Sequence, residues 1–299
     1  MRKIVITGAS GLLGTELIDT IIENSDDLLF LVSTHANTLK KKYDNIQRIV
    51  CLDIEEFENI KQNYDCLLHL AFARSKDSEQ LASSLDFTEQ IINIAKKKNV
   101  QSYINISSQS IYGDINEPLW KEDASAAPTS LYALGKYATE KMTRIAFNGT
   151  DVNWTTIRLA SICENARFVN VFVKNMMAGQ PITIIGGSQM CSFIDVRDVA
   201  VALYRVIEAS DNYKLREVYN LGTGTQTSIV EIANAVNRIG HLEYKLPEIE
   251  IVINPQDVKL NAGMDNSLFC RDFNWTPTYS MDDMIRSLFE LNLEGGKNS

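Results

Sequence analysis

Thr7-Gly8-Ala9-Ser10-Gly11-Leu12-Leu13-Gly14 decides the reading of this chain. The apolar run 3–6 precedes it, and a helical pattern over 15–23 follows. In such a strand–turn–helix the first glycine permits the sharp turn. The second lets a pyrophosphate approach the backbone, and the third lets helix and strand pack closely. The helix N-terminus offers free N–H groups and the positive end of its dipole to phosphates. The spacing is G-x-x-G-x-x-G rather than G-x-G-x-x-G, and its place directly after a strand points to a dinucleotide site. The lysine and hydroxyl residue that close a P-loop are missing. Gly8, Ser10, Gly11, Leu12, Leu13 and Gly14 are therefore expected to contact a dinucleotide.

Bulk properties narrow the function. With 299 residues the chain can bury a large core, as one large or two modest domains. A net charge of −9 argues against broad binding of nucleic acid or anionic membranes. An anionic cofactor stays open, because local backbone donors hold it. No charged leader or cleavage site precedes the first strand, so a signal peptide is not expected. No apolar run is long enough to span a bilayer. Cys51, Cys66, Cys163, Cys191 and Cys270 are scattered with no C-x-x-C pair, which reads as reduced thiols in a cytoplasmic protein. The three histidines, His35, His69 and His241, lie far apart, and no metal site is expected.

The first half alternates apolar runs with helical patterns. Strands are expected over 3–6, 28–32, 47–52, 66–70, 102–107 and 154–158, and helices over 12–23, 54–62, 80–97 and 131–147. This βαβ rhythm predicts an α/β fold with a doubly wound parallel sheet. Ligands of such sheets bind beyond the carboxyl ends of the strands. The second half is more mixed. It holds a strand and turn over 181–187, a strand end and helix over 193–208, a strand and turn over 218–222 and a helix over 228–238. That mixture suits a smaller α/β domain that binds substrate. The expected division is 1–160 plus about 193–222 for the dinucleotide domain, and 161–192 plus 223–299 for the smaller one. The tail 294–299 is expected to fray.

A second constellation bears chemistry. Tyr132-Ala133-Leu134-Gly135-Lys136 places a phenol and an amine on one helix face at i and i+4. An ammonium beside a phenol lowers its pKa, which suits tyrosine to acid–base work near neutrality. An exposed helical pair is the ordinary alternative. The segment Ser107-Ser108-Gln109-Ser110-Ile111-Tyr112-Gly113 comes first, at the carboxyl end of an expected central strand. A serine there can hydrogen-bond a substrate oxygen beside the tyrosine; otherwise it serves as a turn or helix cap.

With these residues the chain resembles the extended short-chain dehydrogenases/reductases of the NAD-dependent epimerase/dehydratase family. The likeness also runs through Asp53-Ile54, His69-Leu70-Ala71-Phe72-Ala73, Glu122-Asp123, Glu140, 193–200, Tyr219-Asn220-Leu221-Gly222 and Phe273-Asn274-Trp275-Thr276-Pro277. The resemblance implies a Rossmann sheet and hydride transfer with a nicotinamide cofactor. It implies that Tyr132 is the acid/base, that Lys136 binds the nicotinamide ribose and tunes Tyr132, and that Ser108 polarises the substrate oxygen. Asp53 and Ile54 would border the adenine, and Leu70, Ala71 and Ala73 would line the cofactor. It also implies a homodimer through helices 80–97 and 131–147, with Ile91, Ile94, Ile145 and Phe147 as candidate contacts; burial in the chain's own core is the alternative for each.

Departures from the family pattern refine the expectation. No acidic residue follows the second strand, where Val32-Ser33-Thr34-His35-Ala36-Asn37 leads to Lys40, Lys41 and Lys42. Ser33 and Thr34 are therefore placed in the cofactor site, and the NAD(P) preference leans to NADP(H), although the lysines fit a solvated helix face equally well. The Asp-Glu pair of the dehydratases is Gln109-Ser110 here, which disfavours elimination. Cys191 replaces an arginine and Ser161 an asparagine that nucleotide-sugar enzymes use, and Cys163-Glu164 replaces a Tyr-Gly. Arg167, Lys174 or Lys259 are candidate substitutes as phosphate contacts. Ser84 stands where an asparagine is common. The expected activity is an NAD(P)-dependent oxidoreductase or epimerase acting on a small-molecule, sugar-type, nucleotide-linked substrate. The alternatives are an NADP-dependent reductase of a smaller carbonyl compound and a non-catalytic dinucleotide sensor. Ser108, Tyr132 and Lys136 together argue against the sensor.

Overall fold

The computed structural model describes residues 1–74, 76–113, 119–258 and 260–295. Its first half runs β1 (Lys3–Thr7), α1 (Leu12–Asn24), β2 (Leu28–Val32), α2 (Ala36–Lys42), β3 (Ile49–Leu52), α3 (Ile54–Asn59), β4 (Cys66–His69), α4 (Ser78–Lys97), β5 (Ser102–Ser108), α5 (Leu131–Phe147) and β6 (Asn153–Leu159). The second half adds β7 (Ser161–Ile162), α6 (Arg167–Met177), β8 (Ile182–Ile185), β9 (Met190–Cys191), β10 (Phe193–Ile194), α7 (Val196–Ser210), β11 (Val218–Leu221), β12 (Thr227–Ser228), α8 (Ile229–Leu242), β13 (Ile251–Asn254), α9 (Ser267–Phe273) and α10 (Met281–Gly295).

Seven parallel strands form one sheet in the order β11-β6-β5-β4-β1-β2-β3. Both faces are covered, so the strands are apolar on both sides, as parallel sheets require. Successive side chains alternate between two cores. Ile4, Ile6, Leu29 and Leu31 enter one, beneath α1 and α7. Val5, Phe30, Leu67 and Tyr103 enter the other, beneath α4 and α5. The chain winds outward from β1 to β3, then crosses to β4 on the other side of β1, and this is the switch point of the sheet. Thr7 is in register with Val32 and with His69, and Ser108 with Leu159. The carboxyl ends thus share one edge.

Helix starts follow local chemistry. Asp53 caps α3 in a capping box with Glu56, Ser130 caps α5 through the Ala133 N–H, and Ser228 caps α8 in a box with Glu231. The run 36–42 is the helix α2, held by buried Ala36 and Leu39, so Lys40, Lys41 and Lys42 lie on a helix, as one of the two readings of them allows.

A third core lies away from the sheet. Val169 and Phe172 of α6, Val236 of α8 and Phe289 of α10 pack there over Ile182 and Ile184 of β8, which pairs in parallel with β13. We propose that this is the smaller unit expected from 161–192 and 223–299, with one amendment. Phe269, Phe273 and Trp275 join the sheet core, where Phe269 meets Tyr219 edge-on at 6.0 Å. The stretch 264–275 is therefore assigned to the sheet side. Helix α10 extends through residue 295, and residues 296–299 of the expected frayed tail lie outside the described residues.

Of the four expected dimer contacts, Ile91, Ile94 and Phe147 are buried in the chain's own core, and only Ile145 faces outward, 83% exposed. Their apolar faces are spent on packing α4 and α5 against the sheet. Among the described residues, no helix is long and apolar enough to cross a membrane.

The glycine turn is tightest at its third position. A Cβ at Gly14 would lie 2.4 Å from the Gly8 carbonyl oxygen and 2.8 Å from Ala9 Cα, whereas one at Gly11 would meet only the Gly8 oxygen, at 3.3 Å. Gly14→Ala is expected to cost about 1–3 kcal/mol in a denaturant titration, and Gly11→Ala clearly less. Equal losses would show that the turn is not packed in this way.

Candidate active site

Tyr132 and Lys136 stand one turn apart on α5, and three features set that helix against the sheet. Ser130 caps its start. Gly135 lets it approach Leu81 and Phe72, for a Cβ there would sit 2.3 Å from Leu81 Cδ1. Further along, Glu140 receives Arg158 of β6 in a two-pronged buried ion pair, Nε to Oε1 at 3.1 Å and Nη2 to Oε2 at 2.9 Å. Burial works against the Arg158 charge, but the Glu140 hydrogen bonds outweigh it and hold the guanidinium above its ordinary pKa. Arg158 also donates to the Tyr112 hydroxyl at 2.9 Å and the Glu122 carbonyl at 2.8 Å.

Lys136 is buried. Its Nζ donates to the Ile106 carbonyl of β5 at 2.7 Å and lies 4.5 Å from the centroid of the Phe72 ring. Burial pulls its pKa down to about 7, against the pull of Glu140. Tyr132 is half-buried and edge-on to Phe72 at 6.0 Å. Burial raises its phenol above the ordinary value, with Arg74 and a hydrogen bond from Ser108 opposing. This corrects the expectation that Lys136 lowers the Tyr132 pKa. The lysine is itself half-discharged by burial and tied to a backbone carbonyl, and desolvation governs the phenol. Ser108 ends β5, and its Oγ accepts from the Ser110 N–H at 3.2 Å and the Ser110 hydroxyl at 3.0 Å. It is thus both a turn cap and a wall of the site.

Ser108, Tyr132 and Lys136 line one cleft of about 1620 Å³ with Leu13, Leu70 and Phe72. The opposite wall comes from α6 and β9–β10, including Arg167, Phe168, Cys191 and Ser192. Arg74, Lys76 and Arg167 bring cations to the lining, and among the described residues no aspartate or glutamate is part of it. Of the substitutes proposed for the missing phosphate contacts, Arg167 reaches the cleft and Lys174 does not line it. Lys259 lies outside the described residues. Arg74 and Lys76 were not singled out from sequence; their only signal is a place just after the His69–Ala73 run.

The remaining cofactor candidates follow the strand ends. Gly8 has φ +69°, and a Cβ on it would lie 2.8 Å from the Ala71 N. Helix α1 begins at Gly11 with no side-chain cap and no acidic residue in its first turn, so the cradle suits dinucleotide phosphates. Thr7 Oγ1 accepts from the Ala71 N–H at 3.3 Å and meets His69 Nδ1 at 2.9 Å, while His69 Nε2 meets Thr88 Oγ1 at 3.0 Å. Burial, with the Lys136 charge, takes His69 down to about 3, so the ring is neutral and structural. Ala73 donates to Ser84 Oγ at 3.2 Å, which gives Ser84 a role in holding the loop after β4. Ser33 pairs with Ser10 at 2.9 Å and accepts from the His35 N–H at 3.0 Å, with Thr34 beside it. Asp53, with Ile54 after it, spends a carboxylate oxygen on the Glu56 N–H of its own cap. Of the nearby lysines, Lys40 pairs with Glu56 at 3.1 Å and Lys42 with Asp19 at 3.7 Å. Gly8, Ser10, Gly11, Leu12, Gly14, Ser33, Thr34, Asp53, Ile54, Ala71 and Ala73 are not part of the cleft lining; they continue along the sheet edge from it.

Comparison with known proteins gives the family. Residues 4–222 match the model of the NAD-dependent epimerase/dehydratase family, and the chain belongs to that family. It is 21% identical to a dTDP-glucose 4,6-dehydratase of Haemophilus influenzae, with all of both chains covered. Among solved structures it is similar to a UDP-glucose-4-epimerase from Stenotrophomonas maltophila with bound NAD and formylated UDP-arabinopyranose (TM-score 0.84, 18% identity, all of both chains covered). It is also similar to a UDP-glucuronic acid 4-epimerase from Bacillus cereus in complex with UDP-glucuronic acid and NAD (TM-score 0.81, 20% identity, 98% and 99% covered). These likenesses show the shared fold.

The buried amine has a pH signature. Between about pH 7 and the ordinary lysine value of 10.5 the unfolded chain binds the proton that the folded chain has lost. Stability from this group therefore rises with pH across that window, and the penalty is full below pH 7. In cofactor-free protein, Lys136→Met is expected to raise the melting temperature at pH 6.5 by about 2–4 °C, with the gain fading by pH 9.5. A pH-independent difference would contradict the buried, discharged amine.

Proposed function

We propose that the protein is an NAD(P)-dependent enzyme that moves hydride at a carbinol or keto carbon of a nucleotide-linked sugar. The observation that carries the proposal is the convergence of Ser108, Tyr132 and Lys136 on one cleft beside the glycine turn. The cations Arg74, Lys76 and Arg167 on the lining suit an anionic substrate. The relatives and structural neighbours named for sugar nucleotides support the same class.

A bound nicotinamide supplies the hydride donor or acceptor. Tyr132 gives its proton to the substrate oxygen when a carbonyl is reduced and takes it back when a carbinol is oxidised. Burial raises the phenol above its ordinary value and so favours its protonated form. Ser108 hydrogen-bonds the same oxygen and polarises it. Lys136 holds the nicotinamide ribose. The family's dehydratases carry an Asp-Glu pair where Gln109 and Ser110 stand here, which disfavours elimination and favours epimerisation or reduction. Cofactor that co-purifies tightly, identified by mass spectrometry, marks an epimerase; cofactor exchanged at each turnover marks a reductase.

Preference for NADP(H) rests on Ser33, Thr34 and Lys41 alone, because Lys40 and Lys42 already face carboxylates. If it holds, Ser33→Asp turns the preference towards NAD(H); tighter binding of NAD(H) by the wild type removes it. The five cysteines are free thiols, in keeping with a cytoplasmic protein. A homodimer through α4 and α5 would use Leu134 and Ile145, which are exposed on α5. A monomer by light scattering at micromolar concentration counts against it.

Tyr132→Phe is expected to lose about 10²–10⁴-fold in turnover while still binding cofactor. Ser108→Ala should lose less, and Lys136→Met should lose turnover and cofactor affinity together. Gly11→Val should abolish dinucleotide binding with the fold kept. Wild-type turnover in Tyr132→Phe would remove the acid/base assignment. Dinucleotide binding that changed only a partner's affinity would make the protein a sensor.

A further inference from the structure

Phe72 touches both members of the pair on α5. The Lys136 Nζ stands over its ring, 4.5 Å from the centroid, and the Tyr132 ring meets it at 71° and 6.0 Å. Its place is set from two sides. The Ala71 N–H before it donates to Thr7 Oγ1 at 3.3 Å, and the Ala73 N–H after it donates to Ser84 Oγ at 3.2 Å. Thr7 is backed in turn by His69 and Thr88. On α5, Gly135 clears the room for the ring, since a Cβ there would lie 2.7 Å from Phe72 Cζ.

The ring answers a need of the amine. Lys136 is 4% exposed, and among the described residues its Nζ makes one hydrogen bond, to the Ile106 carbonyl. An ammonium carries three donors. Glu140, one turn along α5, is spent on Arg158 of β6. Of the other titratable and charged groups around the pair, His69 of β4 is neutral, Tyr132 of α5 is held protonated by burial, and Arg74 after β4 is a like charge. The face of an aromatic ring attracts a cation, most strongly where water is excluded.

We propose that Phe72 is a positioning residue: its ring face holds the Lys136 ammonium in place for the dinucleotide. The inference rests on the reading of Lys136 as a cofactor-binding residue and adds what keeps a cation in so dry a place. The ring works against the burial that discharges the amine. A leucine at this position fills much of the space and leaves the ammonium with the Ile106 carbonyl alone.

The test starts with the cofactor-free protein. Phe72→Leu loses packing at every pH. Beyond that, it is expected to lower the melting temperature by about 2 °C more at pH 6 than at pH 9.5, because only the charged amine feels the ring. His69 and Tyr132 titrate outside that window. In a Lys136→Met background the excess is expected to vanish, and Phe72→Tyr, which keeps the ring, is expected to show none. Calorimetric titration with NAD+ and NADP+ gives the second readout. Phe72→Leu is expected to weaken the tighter-binding of the two about tenfold at pH 8 and only about twofold at pH 6, where most of the amine is charged in either protein. A melting loss equal at both pH values, an excess that persists without Lys136, or an unchanged dinucleotide affinity overturns the inference and leaves the reading of the site intact. Should Phe72→Leu fail to fold, Phe72→Met, which also lacks a ring, is read in its place against the same outcomes. A wild type that binds neither dinucleotide overturns the reading of the site and this inference with it.

Discussion

One buried charge organises the site. Arg158 projects from β6 and meets four groups from three parts of the chain: both oxygens of Glu140 on α5, the Tyr112 hydroxyl and the Glu122 carbonyl. Tyr112 passes the link to Asn220 of β11 at 2.7 Å, and Asn220 binds back to Glu122 and Trp120. Glu140 lies one turn beyond Lys136, so the ion pair fixes how far α5 slides along β5. That in turn fixes the height of Tyr132 above Ser108. Only a planar guanidinium presents enough donors in one fork for this set of acceptors. A buried pair of this kind adds little net stability, and its worth here is the position it enforces.

Deeper in the site, burial works against charge. His69 is a spacer between Thr7 and Thr88, with its proton decided by burial. Lys136 is pulled towards neutrality and Tyr132 is kept protonated by the same loss of water. Charge enters at the lining, as Arg74, Lys76 and Arg167, in a protein whose overall charge is −9. Net charge therefore says little about what this cleft accepts; the local placement of these cations says more.

Much of the fold was legible because its signals are local. The strands 28–32 and the helix 131–147 appear with their expected ends, since an apolar run and a capped amphipathic stretch each define themselves. The glycine turn and the Tyr132–Lys136 pair could be read from spacing and Ser108 from the family resemblance, and the three residues Ser108, Tyr132 and Lys136 do line one cleft. What could not be read depends on burial and on contacts between distant residues. The direction of the Tyr132 shift needed the depth of its surroundings. The reassignment of 264–275 needed Phe269 beside Tyr219. Ile91, Ile94 and Phe147 looked like interface residues because an apolar helix face reads alike whether it meets the chain's own sheet or another subunit. Gln109 was visible only as a missing acid; its bond to Ser161 joins positions 52 residues apart.

The segment around Trp120 closes the cleft from the side of the chain's end. Trp120 donates its N–H to the Gly263 carbonyl, receives the Asp265 N–H on its own carbonyl and bridges to Met264. Its indole is 4% exposed, stacks on Tyr112 at 5.2 Å and forms part of the lining. The other two tryptophans are buried in the sheet cores, Trp154 on one face and Trp275 on the other. The molecule thus carries one tryptophan in contact with its cleft and two that do not line it. Trp120 is the tryptophan placed to feel an occupant directly, so filling of the cleft can be followed by ultraviolet emission in the unlabelled protein before any substrate has been identified.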